Sequence, residues 1–215
     1  MTMQRQTDFQ DAVILAFDKA LTTIWGNPKG SGRKNPALKI PEAELTDKQR
    51  RHHAALMRIN HAGEVSAQAL YQGQALTAKL PEVRETMQQA AMEENDHLVW
   101  CQQRLTALDG HRSVLNPLWY VGSFALGAVA GKAGDKWSLG FVAETEKQVE
   151  AHLADHLDQL DDSDKASRAV LKQMQVDEIH HGEQAVNAGG AELPLPVQKL
   201  MTVVSKVMTR SSYWL

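Results

Sequence analysis

Cysteine is almost missing from this chain. Cys101 is the only one, so no intramolecular disulfide can form, and a reducing compartment is the natural setting. An excess of basic charge is missing too. With 23 Lys and Arg against 26 Asp and Glu, and no basic patch interleaved with aromatics, the chain carries no signal for a nucleic-acid partner. The first residues lack a basic region followed by an apolar core and a small-residue cleavage site, so secretion is not expected. Proline is sparse and mostly marks boundaries, at positions 81, 117, 194 and 196, which leaves long stretches free to be helical. The 215 residues suit one good-sized domain with terminal additions, and a composition 43% hydrophobic and 23% charged is ordinary for a soluble fold.

What is present is a repeated acid–histidine pattern. Two Glu-x-x-His tetrads occur, Glu94-Asn95-Asp96-His97 and Glu178-Ile179-His180-His181. Glu64 precedes the first by 30 residues and Glu146 precedes the second by 32. Residues three apart share a helix face about one turn from each other, so each Glu and His can reach one metal ion. Two such pairs and two single glutamates form the ligand inventory of di-iron and di-manganese four-helix bundles.

The spacing fits two antiparallel hairpins. Midway between 64 and 94 the chain reads Thr77-Ala78-Lys79-Leu80-Pro81-Glu82, where Pro81 suits the first turn of a new helix. Midway between 146 and 178 lies Leu160-Asp161-Asp162-Ser163-Asp164, a polar turn offering Asp or Ser as N-cap. The glutamates of each hairpin then sit about 15 residues from the turn, roughly 24 Å along the bundle, facing each other at one level.

Four bundle helices are expected, at about Thr46–Ala78, Pro81–Leu108, Trp137–Leu160 and Asp164–Ala188, the last ended by Gly189-Gly190. They form a segment 46–190, flanked by an N-terminal amphipathic helix with a linker (1–45) and a C-terminal amphipathic helix (191–215) packed on the same domain. The N-terminal stripe is Phe9, Val13, Phe17, Leu21 and Ile24, and Gly26 to Pro41 reads as a linker. Each candidate ligand falls on an inward stripe: Glu146 among Leu139, Val142, Val149 and Leu153; Glu94 and His97 among Met87, Ala91, Cys101 and Leu105. Glu178 and His181 lie with Leu171, Met174 and Ala185, and Glu64 lies with Met57, Ala67 and Tyr71. Glu144, by contrast, reads as solvated.

A single Glu-x-x-His is weak evidence, since helices are rich in glutamate. Two of them, each with an inward partner, are strong, because four unpaired carboxylates in a helical core would cost several kcal/mol or more apiece and bound metal removes that conflict. Other residues carry plainer readings. His152, six residues after Glu146, is a candidate outer donor to a ligand, with packing as the equal alternative. Tyr71 is a candidate hydrogen-bonding or redox residue, with core packing the commoner role. His61 reads as structural, His52, His53 and His111 as solvated, and Cys101 as a buried, inert thiol. His180 points about 100° away from His181. Asp96 and Glu93 read as a solvated face before they read as outer acids.

Between the second and third bundle helices, nineteen residues from Ser113 to Gly131 carry no charge. Length alone admits a membrane span, but Asn116, Pro117, Ser123 and three glycines argue for an apolar crossover that lies on or dips into a bilayer. The last stripe, Val197, Leu200, Met201, Val204, Val207 and Met208, has Lys199, Lys206 and Arg210 on its other side and ends at Trp214. That pattern suits an interface, with core packing as the alternative, and both segments together point to peripheral membrane contact.

The run Arg58-Ile59-Asn60-His61-Ala62-Gly63-Glu64, continued by Ala69-Leu70-Tyr71-Gln72-Gly73-Gln74, resembles the demethoxyubiquinone hydroxylase family, membrane-associated di-iron enzymes of the ferritin-like superfamily. Glu94-x-x-His97-Leu98 and Asp177-Glu178-Ile179-His180-His181 are similar to that family's second and fourth helix motifs. Glu146 and His152 fall where it carries its third-helix carboxylate and a nearby histidine. The resemblance covers about Arg51 to Ala191 and leaves Met1–Pro36 uncovered. Two positions depart from it: Lys147 and Leu153 stand where the family often has an acid and a tyrosine.

The resemblance implies an all-α, ferritin-like four-helix bundle with a long apolar crossover, holding two irons per chain. Glu64, Glu94 and His97 would serve one iron and Glu146, Glu178 and His181 the other, with Glu94 and Glu178 bridging. It implies O₂ as co-substrate, and NADH, another reductant or the quinol itself as electron source. The implied substrate is a membrane-borne polyprenyl 6-methoxy-3-methyl-1,4-benzoquinol, met at the cytoplasmic side of the cell membrane, with other ubiquinone-biosynthesis proteins as candidate partners. The rival reading is a ferritin-like ferroxidase or iron store using the same six ligands, against which the charge-free crossover counts. A metal-free membrane scaffold is opposed by the four inward carboxylates.

Overall fold

The structure, a computed structural model, describes residues 9–26 and 28–215; Asp8 and the side chains of Phe9 and Val13, part of the expected N-terminal stripe, lie outside the described residues. Among the described residues seven helices follow in order: α1 Phe9–Trp25, α2 Asp47–Thr77, α3 Pro81–Ala107, α4 Asn116–Ala133, α5 Asp135–Gln159, α6 Lys165–Asn187 and α7 Leu195–Trp214. Among the described residues there is no strand, and the all-α, ferritin-like expectation holds.

Local chemistry sets the helix ends. Thr46 and Gln49 form a reciprocal capping box at the start of α2, Gln49 N–H donating to Thr46 Oγ1 at 3.3 Å and Thr46 N–H to Gln49 Oε1 at 3.0 Å. Pro81 opens α3, where a missing N–H costs nothing. Asp164 caps α6 by accepting from Ser167 N–H at 3.0 Å. Gly134, at φ 121°, takes the chain from α4 into α5 through a conformation that side chains avoid.

Helices α2 and α3 form one antiparallel hairpin and α5 and α6 the other; α3 meets α6, and α2 meets α5. One apolar cluster holds Leu56, Met57, Trp100, Leu105, Leu153 and Leu171. A second, toward the other end of the bundle, holds Tyr71, Met87, Leu139 and Val142. The level of residues 64, 94, 146 and 178 lies between them.

The charge-free crossover is α4, and it packs along α2. Side chains at Gly73 and Gly127 would collide with the backbone of the opposite helix, at Phe124 and Leu70 respectively, so these glycines allow two helix backbones to touch. Tyr120 is buried, whereas Leu118, Val121, Leu126 and Val129 face outward. No helix among the described residues is long and apolar enough to cross a membrane. The C-terminal stripe divides in the same way. Met201 and Met208 are half-buried, while Leu200, Val204 and Val207 are exposed.

The N-terminal stripe behaves differently from the other expected core stripes. Of its described side chains only Ile24 is buried, against Val65, Ala69, Leu98 and Tyr120; Phe17 and Leu21 are exposed. The linker that follows is not slack. It runs over α3, with Asn35 donating to Gln103 at 2.6 Å and Arg104 to Glu42 at 2.6 Å.

Candidate metal centre

Each hairpin carries its acids to one level, and each helix contributes from its inward face. Glu64 comes from α2, Glu94 and His97 from α3, Glu146 from α5, and Glu178 and His181 from α6; all six are at most 3% exposed. They form two overlapping groups, Glu64–Glu94–His97–Glu178 and Glu94–Glu146–Glu178–His181, each with its ligand atoms within 4.8 Å of one another. Glu94 and Glu178 belong to both. His97 Nδ1 lies 3.1 Å from Glu94, 3.3 Å from Glu178 and 3.7 Å from Glu64. His181 Nδ1 lies 3.2 Å from Glu94 and 3.6 Å from Glu178.

Such a cluster is unstable as bare protein. Glu64 Oε2, Glu94 Oε1, Glu178 Oε2 and His181 Nδ1 are buried without a hydrogen-bond partner. Leaving polar atoms so placed costs about 1–3 kcal/mol each, more when charged. Burial, reinforced by the charge of Glu94, pushes the Glu64 carboxyl well above the usual range; burial, with Glu178 and Glu94, does the same to Glu146. Burial opposes ionisation of Glu94 as well, but the neighbouring His97 and His181 hold it well below its ordinary value. Burial also opposes charge on the histidines, yet the surrounding carboxylates raise both, His181 to about 12. The converging oxygens and Nδ1 atoms thus fit divalent ions, since four carboxylates balance two of them and metal would take the place of the histidine protons.

The far side of each imidazole is also committed. His97 Nε2 stands 2.9 Å from Asp177 Oδ2, and His181 Nε2 stands 2.7 Å from Glu93 Oε2. The arrangement is reciprocal, with each histidine using an acid of the other's helix. A carboxylate there fixes ring orientation and strengthens the opposite nitrogen as a ligand. Glu93 thus faces His181 and not solvent alone, and Asp177 is its counterpart at His97. Both immediately precede a glutamate of the cluster, so the doubled acids Glu93-Glu94 and Asp177-Glu178 are the signal the sequence offers.

Tyr71 donates its hydroxyl to Glu146 Oε1. Burial, with the charges of Glu146, Glu94 and Glu178, pushes the phenol far above its normal range, so it stays a donor. His152 does not join the cluster. Its ring packs on His156 at 3.9 Å between centroids, Nε2 is buried without a partner, and burial lowers its basicity. His61 is buried beside Asn116 and depressed to about 3 by burial and Arg112, in keeping with a structural role.

Three plainer readings need correction. His53 is buried and bonded to Asp164 at 2.9 Å, because the α6 cap folds over it. Asp96 is buried under the N-terminal linker, accepting from Ser31 N–H at 2.9 Å. The Glu144 side chain is only 12% exposed and accepts from Gln148 at 2.7 Å.

A cavity of about 520 Å³ opens between α5 and α6, with Glu146 and Glu178 in its wall and Ala143, Gly182, Ile179 and Val186 around them. It gives the buried carboxylates a face toward the outside.

The family described as Ubiquinone biosynthesis protein COQ7 matches residues 51–212, a span that includes all six clustered residues. The chain belongs to the demethoxyubiquinone hydroxylase family. A 3-demethoxyubiquinol 3-hydroxylase of Nitrosococcus oceani is 58% identical over 205 residues, 95% of this chain and 96% of that protein. Proteins of the same name from Nitrosospira multiformis and Acinetobacter baumannii are 55% and 57% identical, each over 95% of this chain and 98% and 97% of their own. Of the two positions that depart from the demethoxyubiquinone hydroxylase pattern, Lys147 is exposed beside the cavity and Leu153 is buried in the apolar core.

Proposed function

We propose that this hydroxylase works through two irons, of which Glu64, Glu94 and His97 would hold one and Glu146, Glu178 and His181 the other, Glu94 and Glu178 being placed to serve both. The observation that carries the reading is the sharing of those two glutamates by both ligand groups. When bound, the irons would supply electrons to O₂ and leave coordination positions open. The substrate is a polyprenyl 6-methoxy-3-methyl-1,4-benzoquinol, and the product gains one ring hydroxyl. One oxygen atom of O₂ enters the ring and the other leaves as water, with two electrons drawn from NADH or another reductant, or through the quinol.

The chain's own residues have distinct parts in this. Asp177 and Glu93 hold the two imidazoles with Nδ1 turned inward. Tyr71 donates a hydrogen bond from its hydroxyl to Glu146 Oε1 and so fixes how that carboxylate faces its neighbours. The cavity beside Glu146 and Glu178 admits the quinol ring. The outward apolar side chains of α4 and α7, among them Leu118, Val121, Leu200 and Val207, support peripheral contact with the cytoplasmic side of the cell membrane, where the isoprenoid tail resides.

The test is isotopic. Cells lacking this activity should accumulate a quinone short of the final ring hydroxylation, and this chain should restore ubiquinone, whereas Glu64→Ala or His181→Ala should not. Under ¹⁸O₂ the new hydroxyl should carry the label. Label drawn from water, or rescue by either ligand variant, would overturn the proposal. Mineralisation of many irons per chain without effect on quinones would favour a ferroxidase.

A further inference from the structure

The linker between α1 and α2 is pinned to α3 at successive points that lead toward the metal centre. Asn95 donates to the Lys29 carbonyl at 3.2 Å, and Ser31 bonds Asp96 through both N–H and hydroxyl. Gly30 passes so close to the Asp96 carboxylate that a Cβ there would collide with it. Asn35 and Glu42 bond Gln103 and Arg104 further along the same helix. Between these anchors Arg33 leaves the linker and crosses to α6.

Its guanidinium lies over the Trp100 ring, 5.1 Å from the centroid, and Nη2 reaches Asp177 Oδ2 at 2.7 Å. That same oxygen faces His97 Nε2 at 2.9 Å, while Gln173 occupies Oδ1 at 2.9 Å. Among the described residues no arginine is hydrogen-bonded to the acid facing the opposite histidine, and Arg33 reaches that acid only through space. Glu93, which faces His181, is bonded on its other oxygen by the neutral Gln89 amide at 2.8 Å. The two outer acids therefore differ in what they can pass inward. An acid accepting an imidazole N–H makes the opposite nitrogen a stronger ligand, and a cation on that acid reduces the effect.

We propose that Arg33 is a positioning residue of the metal centre. Seated by the linker, it draws charge from Asp177, weakens His97 as a donor relative to His181, and makes the iron on the His97 side the more readily reduced of the two. Residues 29–42, which carry this arrangement, precede the family-matched span. The inference rests on the di-iron reading above. It adds that the pair is electronically unequal, and that a segment outside the bundle sets the inequality.

The test uses full-length, iron-loaded protein and its Arg33→Gln and Arg33→Lys variants. Iron per chain and the midpoint potential are measured, the latter by redox titration followed spectroscopically. Arg33 is no ligand and its side chain is 35% exposed, so both variants should keep two irons. Arg33→Gln should favour the oxidised centre by about tenfold, the lower end of what outer partners contribute to a metal site. For a one-electron couple that is a fall of about 59 mV. Arg33→Lys restores a charge and should return most of the shift. An unchanged potential in Arg33→Gln, or a Lys variant identical to the Gln variant, would overturn the proposal. Loss of iron from both variants would make Arg33 purely structural and overturn it equally. A parent chain binding fewer than two irons would overturn the di-iron reading itself.

Discussion

Removing the metal should destabilise this protein, and more so as the pH rises. Metal binding to the folded state alone adds RT ln(1 + [L]/Kd), about 2.7 kcal/mol per site when free metal stands at 100 times Kd. The two ligand groups imply two sites, so about 5 kcal/mol in all and, for a chain of this size, a fall in Tm of about 10–20 °C on chelation. The direction with pH follows from the cluster. Without metal, Glu64 and Glu146 have carboxyls raised above their unfolded values, so their contribution is complete below the unfolded pKa and disappears as pH rises through the folded one. His97 and His181 are raised as well, and what they contribute likewise falls as pH climbs above the unfolded histidine value. Glu94 is depressed, as are Glu93 and Asp177 beside the two histidines, and what these three contribute is lost only as the solution becomes acidic, below the range of interest. Metal occupies these positions in place of protons, so the loaded protein should escape the decline. Thermal unfolding followed by circular dichroism, with loaded and chelated protein compared between about pH 5 and pH 8, should show a gap that widens with pH. Equal Tm values, or a gap that narrows toward alkaline pH, would refute the argument that these buried acids await metal.

Other perturbations follow from the same geometry. Glu178→Ala, which removes a member of both ligand groups, should lose most iron while keeping its helices; Glu144→Ala should keep its iron, as measured by metal content per chain. Tyr71→Phe deprives Glu146 Oε1 of its donor in a buried site, and should lower stability of the metal-free protein by about 1–3 kcal/mol in denaturant titration. Gly127→Leu forces α4 away from the Leu70 backbone and should cost about 1–3 kcal/mol or more, with protease cleavage appearing in α4. Placing Asp at both Leu126 and Val204, which are 48% and 45% exposed, should spare the fold and weaken sedimentation with lipid vesicles about tenfold or more. Undiminished vesicle binding would remove α4 and α7 from the membrane reading.

The bundle and its six inward residues were legible because both obey local rules. Pro81 and the Asp161–Asp164 turn punctuate the hairpins, and the core stripe continues through Glu64, Glu94, Glu146 and Glu178 as though they were hydrophobes. What the stripe could not show is where a side chain just off it will reach. Glu93 and Asp177 each sit one residue from a ligand, on a flank that faces solvent in an isolated helix; only the packing of α3 against α6 turns that flank toward a histidine. His53 was misread for a similar reason, since closeness to a chain turn does not mean exposure when the next helix's cap covers it. The linker anchors lack any period, because an extended segment answers to the surface beneath it. Arg33 carries no signal in the sequence because its two partners, Trp100 and Asp177, lie far apart in the chain and meet only at its guanidinium.

Helix α4 shows why a run without charge is a poor guide to a membrane span. Its run carries no charge, yet its two sides do different work. One side presents Gly127, Gly131 and Tyr120 to α2, and the tight approach there depends on side chains being absent. The other presents Leu118, Val121, Leu126 and Val129 outward. A helix committed along one side to a protein partner offers a bilayer only its other side, so on the peripheral-contact reading proposed above α4 would meet lipid along that outward face, with its axis following α2. The carboxylate cluster lies on the inward side of α2, opposite the side that supports α4. On that reading a quinol ring arriving from the membrane would pass around the bundle wall to reach the cavity between α5 and α6, which Glu146 and Glu178 line.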